Sequence, residues 1–361
     1  MSSPSFAASL FAGRLESDMV SPFPLPDAEE VGRIRDAVAD LRDATADYDP
    51  RQAEADGWVG DDVLARLGEA GLLGLYVDPA FGGRGLSQTG YCRVFEEIGH
   101  IDAGLSVVLG VHQSIGTKGI HMFGTDDQKD RYLPDLASGR KLAAFALTEP
   151  NAGSDAYHLE SWAEQRADGA WVLNGEKRYI GNGSKDVIVT FARCEQAHIA
   201  LVLDGGMDGL EVGDRHDTMG LRANDLRRLR FRDVVVSPDN VLGEPGEGFE
   251  VAMQVLNNGR LSLGAGSVGS VKQLLVLAVE HVTERRQFGS PLADFELVQE
   301  KLGWMTSYLY GLESLSYLTT GMVDAGVEDY AIESAMAKVA GTEFIWYAAN
   351  RVFQLAGGRA Y

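Results

Sequence analysis

LTEPNAGSDA, residues 147–156, is where the chain changes character. Before it, apolar residues recur at helical spacing; after it come short β-prone runs split by glycines. Within the stretch, Thr148 and Ser154 offer hydroxyls, and Gly153 lets the backbone approach a ligand closely. Successive N–H groups in such a glycine-containing turn suit an anionic or carbonyl-rich ligand. The same residues also read as a turn between domains whose polar groups cap their own backbone.

Reading outward from this stretch gives three blocks. Upstream, DAEEVGRIRDAVADLRDATADY (27–48) places Val31, Ile34, Val38 and Leu41 on one helical face. GLLGLYVDPAFGGRGLS (71–87) is a short apolar run followed by a glycine-rich turn, and DAGLSVVLGVHQSIGTKGIHMFG (102–124) reads as a buried small-residue helix. Downstream, WVLNGEKRYIGNG (171–183) carries Asn174–Gly175 between β-prone runs, which predicts a hairpin turn there. VIVTFAR, HIALVLD and LRRLRFRDVVVS continue the β pattern. Past residue 245 the spacing is helical again, with a seam at Phe295, Val298, Leu302, Met305, Leu309 and Leu312. Ser290–Pro291 is the expected start of that helix, Ser as N-cap and Pro in the first turn. One more helix is expected over 328–355, ending at Gly357–Gly358. The fold class is α+β and multidomain: an N-terminal helical domain (1–144), a middle antiparallel β-barrel or sandwich domain (145–245) and a C-terminal helical domain (246–361).

Composition narrows the function. The net charge of -21 argues against nucleic acid or an anionic membrane as the main partner. Only Cys92 and Cys194 occur, with no CxxC pattern, so a reducing cytoplasm fits and no metal site is expected. The opening residues lack a signal-peptide pattern, SFAASLF reads as a surface-docked tail, and no apolar run is long enough to predict a membrane span.

Other motifs divide along the same lines. GAGSVG (264–269) fits GxGxxG, but no clear strand precedes it and helix follows, so it reads as small residues that let helices approach closely. His112 and Gln113 read as a satisfied buried pair rather than as catalytic groups. Arg285 and Arg286 either complement the end of the preceding helix or clamp a pyrophosphate. Hydrolase and NTPase signatures are absent.

The order of motifs says more than any one of them. FALTEPNAGSDA, NGEKRYIGNGSKD, FRDVVVSPDNVLGEPGEGF, RRQFG and QLAGG together resemble the acyl-CoA dehydrogenase family over nearly the whole chain. LNNGRLSLGAG, GLYVDPAFGGRGLS and SFAASLFAGRLESD are most similar to its very-long-chain branch. The resemblance implies FAD between the β domain and the C-terminal bundle, with a neighbouring subunit completing the site in a homodimer or dimer of dimers. It implies α,β-dehydrogenation of long-chain acyl-CoA to trans-2-enoyl-CoA in fatty acid β-oxidation, with electrons passing to an electron-transfer flavoprotein.

By the same resemblance, Phe145, Leu147, Thr148, Gly153 and Ser154 line the flavin ring, and Tyr179, Ile180 and Gly181 pack on its other side. Arg285 and Gln287 hold the pyrophosphate region of the neighbouring subunit's FAD with Phe288 packing nearby, Phe295 and Glu296 add cofactor contacts, and Gln354, Gly357 and Gly358 wrap the adenosine. Ser154, Asn257, Asn258, Gly259 and Arg260 approach the acyl-CoA.

Several positions depart from the family pattern. Tyr179 stands where Trp is usual, and Gly181 where a hydroxyl residue is usual. The loop around Cys194–His198 is short. No catalytic base is identified. The family's Glu falls beyond Tyr361, and the alternative position before the Arg of LNNGR is Gly259. QLAGGRAY (354–361) is therefore expected to be an internal segment of a longer protein, leaving an apolar patch along the seam. Loss of a general base costs about 10²–10⁴ in rate. Two other readings follow: a catalytically inactive flavin-fold assembly or scaffold protein, and a flavin oxidation of a small nitrogen or sulfur compound, against which LNNGR and GLYVDPAFGG weigh.

Overall fold

A computed structural model describes residues 5–361 of the chain. In chain order, helices α1 (Phe6–Phe11), α2 (Ala28–Ala44), α3 (Pro50–Asp56), α4 (Asp61–Glu69), α5 (Gln88–Ile101), α6 (Ala103–Gly110), α7 (Lys118–Phe123) and α8 (Asp126–Ala137) come first. Strands β1 (Ala143–Ala146), β2 (Trp162–Gln165), β3 (Trp171–Ile180), β4 (Val187–Cys194), β5 (Ala197–Asp204), β6 (Leu210–Arg215) and β7 (Arg227–Val236) follow. The chain then returns to helix in α9 (Gly248–Glu284), a small hairpin of β8 (Arg286–Gln287) and β9 (Ser290–Pro291), α10 (Glu296–Asp324) and α11 (Ala331–Ala356). Helix, sheet and helix thus succeed one another as the sequence predicts. By contacts the chain divides differently, into two units. A helical unit takes in the chain up to Val38, Ser87–Ser106 and Arg260–Tyr361. A sheet unit takes in Ala39–Leu86 and Val107–Gly259.

In the sheet unit the seven strands run β1-β4-β2-β3-β7-β6, with β5 on the free side of β4. The sheet is curled and mostly antiparallel, but β1 lies parallel to β4, Ala143 opposite Val187. That parallel pairing explains why Ala143–Ala146 is buried throughout instead of alternating. β4 and β5 are joined by Glu195–Gln196 alone, between the paired Cys194 and Ala197. The core fills one face with Trp171, Leu173, Ile188, Leu201, Leu203, Leu229 and Phe231.

Asn174–Gly175 does not turn the chain. β3 runs straight through it, and the register against β7 shifts between Leu173 and Gly175. The shift is a β-bulge whose extra residue lies on β7: Arg232 and Asp233 face Asn174 alone, and Asp233 has φ 50°. Asn174 Nδ2 donates to Asp233 Oδ1 at 3.0 Å, and Asp233 N–H donates back to Asn174 Oδ1 at 2.9 Å. Gly175 is required there, because its φ is 146° and a Cβ would run into Ser161. The turn between β2 and β3 falls instead at Gly169, φ 88°, with Arg166 N–H donating to Ala170 O at 2.8 Å.

The helical unit packs at backbone range. A Cβ on Gly269 would enter the carbonyl of Glu96, and one on Gly99 would enter that of Gly266. GAGSVG is therefore helix and works by being small. A second cluster joins Val268 and Val271 to the seam residues Met305, Leu309 and Leu312 and to Phe344 and Ala348. The second half of the seam is thus covered, contrary to expectation, while Phe295, Val298 and Leu302 are only half-buried. The exposed aromatics lie one step round, at Trp304, Tyr308 and Trp346. A cavity of about 650 Å³ opens beside them, lined by Tyr308, Phe344, Trp346, Tyr347, Glu343 and Arg351.

Three further expectations change. α10 begins at Glu296, not at Ser290–Pro291, because those two residues pair with Arg286–Gln287 across a turn. Phe288 and Gly289 supply its two positive φ values, 53° and 84°, which is the geometry of a type I′ turn. On α2 the buried positions are Glu30, Ala37, Leu41 and Ala44, while Val31 is exposed, because Glu30 turns inward to accept Ser87 N–H at 2.8 Å. α9 contains a stretch long and apolar enough to cross a membrane, though half of that stretch is buried in the protein, as a core helix is. The N-terminal tail docks as expected: Glu333 accepts from Ser5 Oγ at 2.8 Å and from Ala7 N–H at 2.7 Å. Cys92 and Cys194 are both buried and form no disulfide.

Candidate functional site

In the sheet unit, the stretch that opened the sequence reading is built around a buried ion pair. Lys177 Nζ lies 2.7 Å from Glu149 Oε1, with side chains 0% and 1% exposed. The ammonium also donates to Leu147 O at 3.1 Å. Glu149 accepts from Ser161 N–H at 3.1 Å and from Glu160 N–H. One carboxylate thereby gathers both ends of the 147–161 loop onto strand β3. Burial pushes Lys177 down to about 8 against the pull of Glu149. Burial alone would raise Glu149, but Lys177 and these hydrogen bonds hold it below the usual range. Both groups are therefore charged at neutral pH.

Two residues beyond Lys177 the backbone turns sharply. Tyr179 has φ 59° and Asn182 φ 54°, uncommon for residues with side chains. Arg178 N–H donates to Thr148 O at 2.8 Å, fixing this segment to the loop. Asn182 is fully buried and donates to Val108 O at 3.1 Å and Ala143 O at 3.2 Å. The Tyr179 ring is 52% exposed and lies 5.0 Å from the ring of His216. Asn182 Oδ1, His216 Nε2 and Asn224 Oδ1 are buried near this segment without hydrogen-bond partners among the described residues. Orphaned atoms of this kind call for an explanation, and a polar ligand is one.

Beneath the segment runs the helix that carries His112. Between α6 and α7, residues Val111–Thr117 are π-helical, a local widening common at functional sites. The sequence gives no sign of it. His112 Nδ1 accepts Ala143 N–H at 3.0 Å, so Nε2 carries the proton and donates to Leu136 O at 3.1 Å. Burial lowers its pKa to about 4, and the ring stays neutral. Gln113 donates to Leu72 O at 3.2 Å and accepts Leu75 N–H at 3.0 Å. Both residues are thus satisfied within the protein, as the sequence reading holds.

The expected ring-facing residues fall in this neighbourhood with different exposures. Phe145, Leu147, Ile180 and Gly181 are buried, Thr148 is half-buried, and Gly153, Ser154 and Tyr179 are exposed. Phe145 packs against Phe191 at 4.9 Å between rings. Of the expected substrate residues on α9, Asn258 turns its amide to Gln254 O at 3.2 Å and Met122 Sδ at 3.5 Å. A Cβ on Gly259 would lie 2.7 Å from Ile115 Cγ2, so a π-helical side chain fills that place. Asn257 and Arg260 are half-buried.

The other expected cofactor residues belong to the helical unit. Arg285, Gln287 and Phe288 lie on the β8–β9 hairpin and its approach, and all three are exposed, Phe288 at 97%. Phe295 and Glu296 start α10, and the Phe295 ring stands 6.2 Å from that of Phe288. Gln354, Gly357 and Gly358 end α11. One apolar cluster brings these pieces together: Ala278 and Val282 of α9, Leu355 of α11, and Leu292, Ala293 and Val298. A Cβ on Gly357 or Gly358 would meet nothing within 4 Å. At Gly357 the positive φ of 61° already favours glycine; at Gly358 the protein itself places no such demand.

No group of three His, Cys, Asp or Glu side chains that could hold a metal occurs among the described residues. Sequence reasoning missed the Glu149–Lys177 pair, although both residues lie inside quoted motifs, and it missed Asn224 and His216 altogether.

The acyl-CoA dehydrogenase N-terminal, middle and C-terminal domain families match residues 28–140, 144–234 and 246–361. The mouse very long-chain specific acyl-CoA dehydrogenase, mitochondrial, is 39% identical over 99% of this chain and 57% of that protein. The chain thus spans little more than half the length of the curated relatives it matches. Butyryl-CoA dehydrogenase from Megasphaera elsdenii superposes with a TM-score of 0.88 and 31% identity, covering 93% of this chain and 90% of that one. An acyl-CoA dehydrogenase from Bacillus anthracis, solved with FAD, gives 0.86 and 33%, covering 93% and 62%.

Proposed function

Because this chain belongs to the acyl-CoA dehydrogenase family, we propose that it takes part in FAD-dependent α,β-dehydrogenation of long-chain acyl-CoA to trans-2-enoyl-CoA. FAD is the cofactor of this family. The observation that carries the reading for this chain is the strained Tyr179–Asn182 segment, tied to the 147–161 loop and flanked by orphaned polar atoms. Those atoms and the half-exposed Tyr179 ring fit a flat, polar-edged ring system. On the helical unit, exposed Arg285 and the open space at Gly358 fit a pyrophosphate and its adenosine.

When bound, FAD supplies the acceptor for a hydride from the substrate's β carbon. The protein supplies the surroundings. Lys177 and Glu149 set the loop that carries Thr148 and Ser154, the latter toward the substrate's pantetheine arm. Tyr179, Ile180 and Gly181 form the other wall, and Phe295, Glu296 and Gln354 extend the cofactor contacts of Arg285, Gln287 and Phe288. Gly259 is not the base, since it has no side chain and Ile115 fills its place. The acyl-CoA would approach Asn257 and Arg260. An electron-transfer flavoprotein as acceptor, a homodimer or dimer of dimers, a cytoplasmic setting and the three domains 1–144, 145–245 and 246–361 complete the proposal. The mouse relative is mitochondrial by its name.

The test is anaerobic titration of the FAD-loaded protein with palmitoyl-CoA. Bleaching of the flavin band supports dehydrogenation. FAD binding without bleaching favours the second reading, a flavin-fold scaffold, for which Gly259 and Gly181 are the specific observations. A protein that takes up no FAD overturns both.

A further inference from the structure

Gly181 is buried, and the place of its missing side chain is already taken. A Cβ built there would lie 2.9 Å from Val111 Cγ2 and 3.4 and 3.5 Å from Asn224 Oδ1 and Nδ2. Asn224 belongs to the loop between β6 and β7. That loop is held by Leu221 in a left-handed conformation (φ 53°), by Asn224 N–H donating to Leu221 O at 3.2 Å, and by Leu226 N–H donating to Asn224 O at 2.9 Å. Its neighbour Asp225 is fully engaged, accepting Ser184 N–H at 2.9 Å, Ser184 Oγ at 2.7 Å and Arg227 Nε at 2.5 Å. Asn224 Oδ1, by contrast, is buried and accepts nothing.

A buried carbonyl oxygen without a donor costs about 1–3 kcal/mol. Leucine would fill a similar volume without that cost. The backbone bonds at Asn224 use only main-chain atoms, so they do not require a carboxamide. His216 Nε2, from the same loop, is also buried without a partner beside Tyr179. Two heteroatoms of one loop thus flank the Tyr179–Gly181 segment with no hydrogen-bond partner among the described residues.

We propose that Asn224 is a cofactor-positioning residue: its carboxamide meets the polar edge of the FAD ring where a side chain at 181 would otherwise reach. The inference rests on the reading that Tyr179–Gly181 faces that ring. A carboxamide holds one acceptor and two donors, so it can donate to the ring and also accept from it as the ring changes its own donor pattern on reduction.

The test compares FAD-loaded wild type with Asn224→Leu, the isosteric Asn224→Asp, and Tyr179→Leu. Dissociation constants, the visible flavin spectrum and the reduction potential are the readouts. Asn224→Leu should weaken FAD binding about three- to tenfold, the worth of one hydrogen bond, and shift the flavin band. Asn224→Asp, which should fold as the wild type does, should move the potential negative, since a carboxylate beside the ring disfavours added electron density. Wild-type values for both Asn224 variants, with Tyr179→Leu altered, would overturn the role of Asn224 and leave the ring placement standing. An unchanged Tyr179→Leu protein would overturn the placement and this inference with it.

Discussion

The two sets of proposed cofactor residues are built in opposite ways. The set in the sheet unit is made inside the protein: a buried ion pair, a strained backbone and side chains packed on both sides hold it in place. The set in the helical unit stands in the open, on a short hairpin and at the end of a helix, where Arg285 and Phe288 touch little. The difference fits what each is proposed to hold. A ring whose electronic state must be tuned needs fixed dipoles in a dry place. A solvated pyrophosphate needs a fork of charge and room. It follows that substitutions in the first set should disturb folding and binding together, and those in the second binding alone.

Lys177→Met tests this most severely. It leaves Glu149 buried without its partner, at a cost of about 3–5 kcal/mol, read by urea denaturation. FAD affinity should fall with stability. Glu149→Gln with Lys177→Met should recover most of the loss, since no lone charge remains buried.

Acid comes next. The folded pKa of His112 is about 4 against 6.5 for the free side chain. Between those values the unfolded chain binds more protons, so this contribution is complete above pH 6.5 and is lost as pH falls toward 4. The loss approaches about 3 kcal/mol from this one group. His121, also lowered to about 4 by burial and by Lys118 and Lys129, acts in the same direction. Urea midpoints measured across that range check the slope; a flat profile would contradict the buried, neutral His112.

Arg285→Ala should leave stability within about 0.5 kcal/mol while weakening FAD binding about ten- to hundredfold, measured by flavin fluorescence. A loss of stability would erase the contrast. Gly358→Ala is the smallest and sharpest case. With open space at its Cβ and no positive φ, it should not change the melting temperature, but it should weaken FAD severalfold. Gly357→Ala should do both, because φ 61° with ψ -138° is a conformation nearly confined to glycine and costs a side chain about 1–3 kcal/mol.

Much of the architecture was legible in the residues. Helical spacing on both sides of a glycine-punctuated β stretch predicted the order of elements, and GAGSVG read as helix because nothing before it looked like a strand. What failed were signals with more than one physical use. Asn-Gly suits a hairpin turn, but Gly175 at φ 146° and the Asn174 carboxamide bound to Asp233 serve equally in a continuous strand that faces a bulge on its neighbour. Ser-Pro can begin a helix or close a two-residue strand, and the Phe-Gly before it settled the matter by turning. The site was legible as strings and not as a mechanism. LTEP and NGEK each contain half of the Glu149–Lys177 pair, but only the pairing of strands brings them together. The π-helical segment left no trace, because widening a helix by one residue changes no composition.

That widening carries a consequence of its own. A regular helix advances about 100° per residue, so the surplus in Val111–Thr117 fixes how α7 is rotated relative to α6. His121 at 5.2 Å from the Tyr76 ring and Met122 against Asn258 both depend on that rotation. Exchanges of one side chain for another within 111–117 are local events. Deleting a single codon there would swing every later contact of the helix to the wrong azimuth, so the segment should tolerate drift in spelling but not in length.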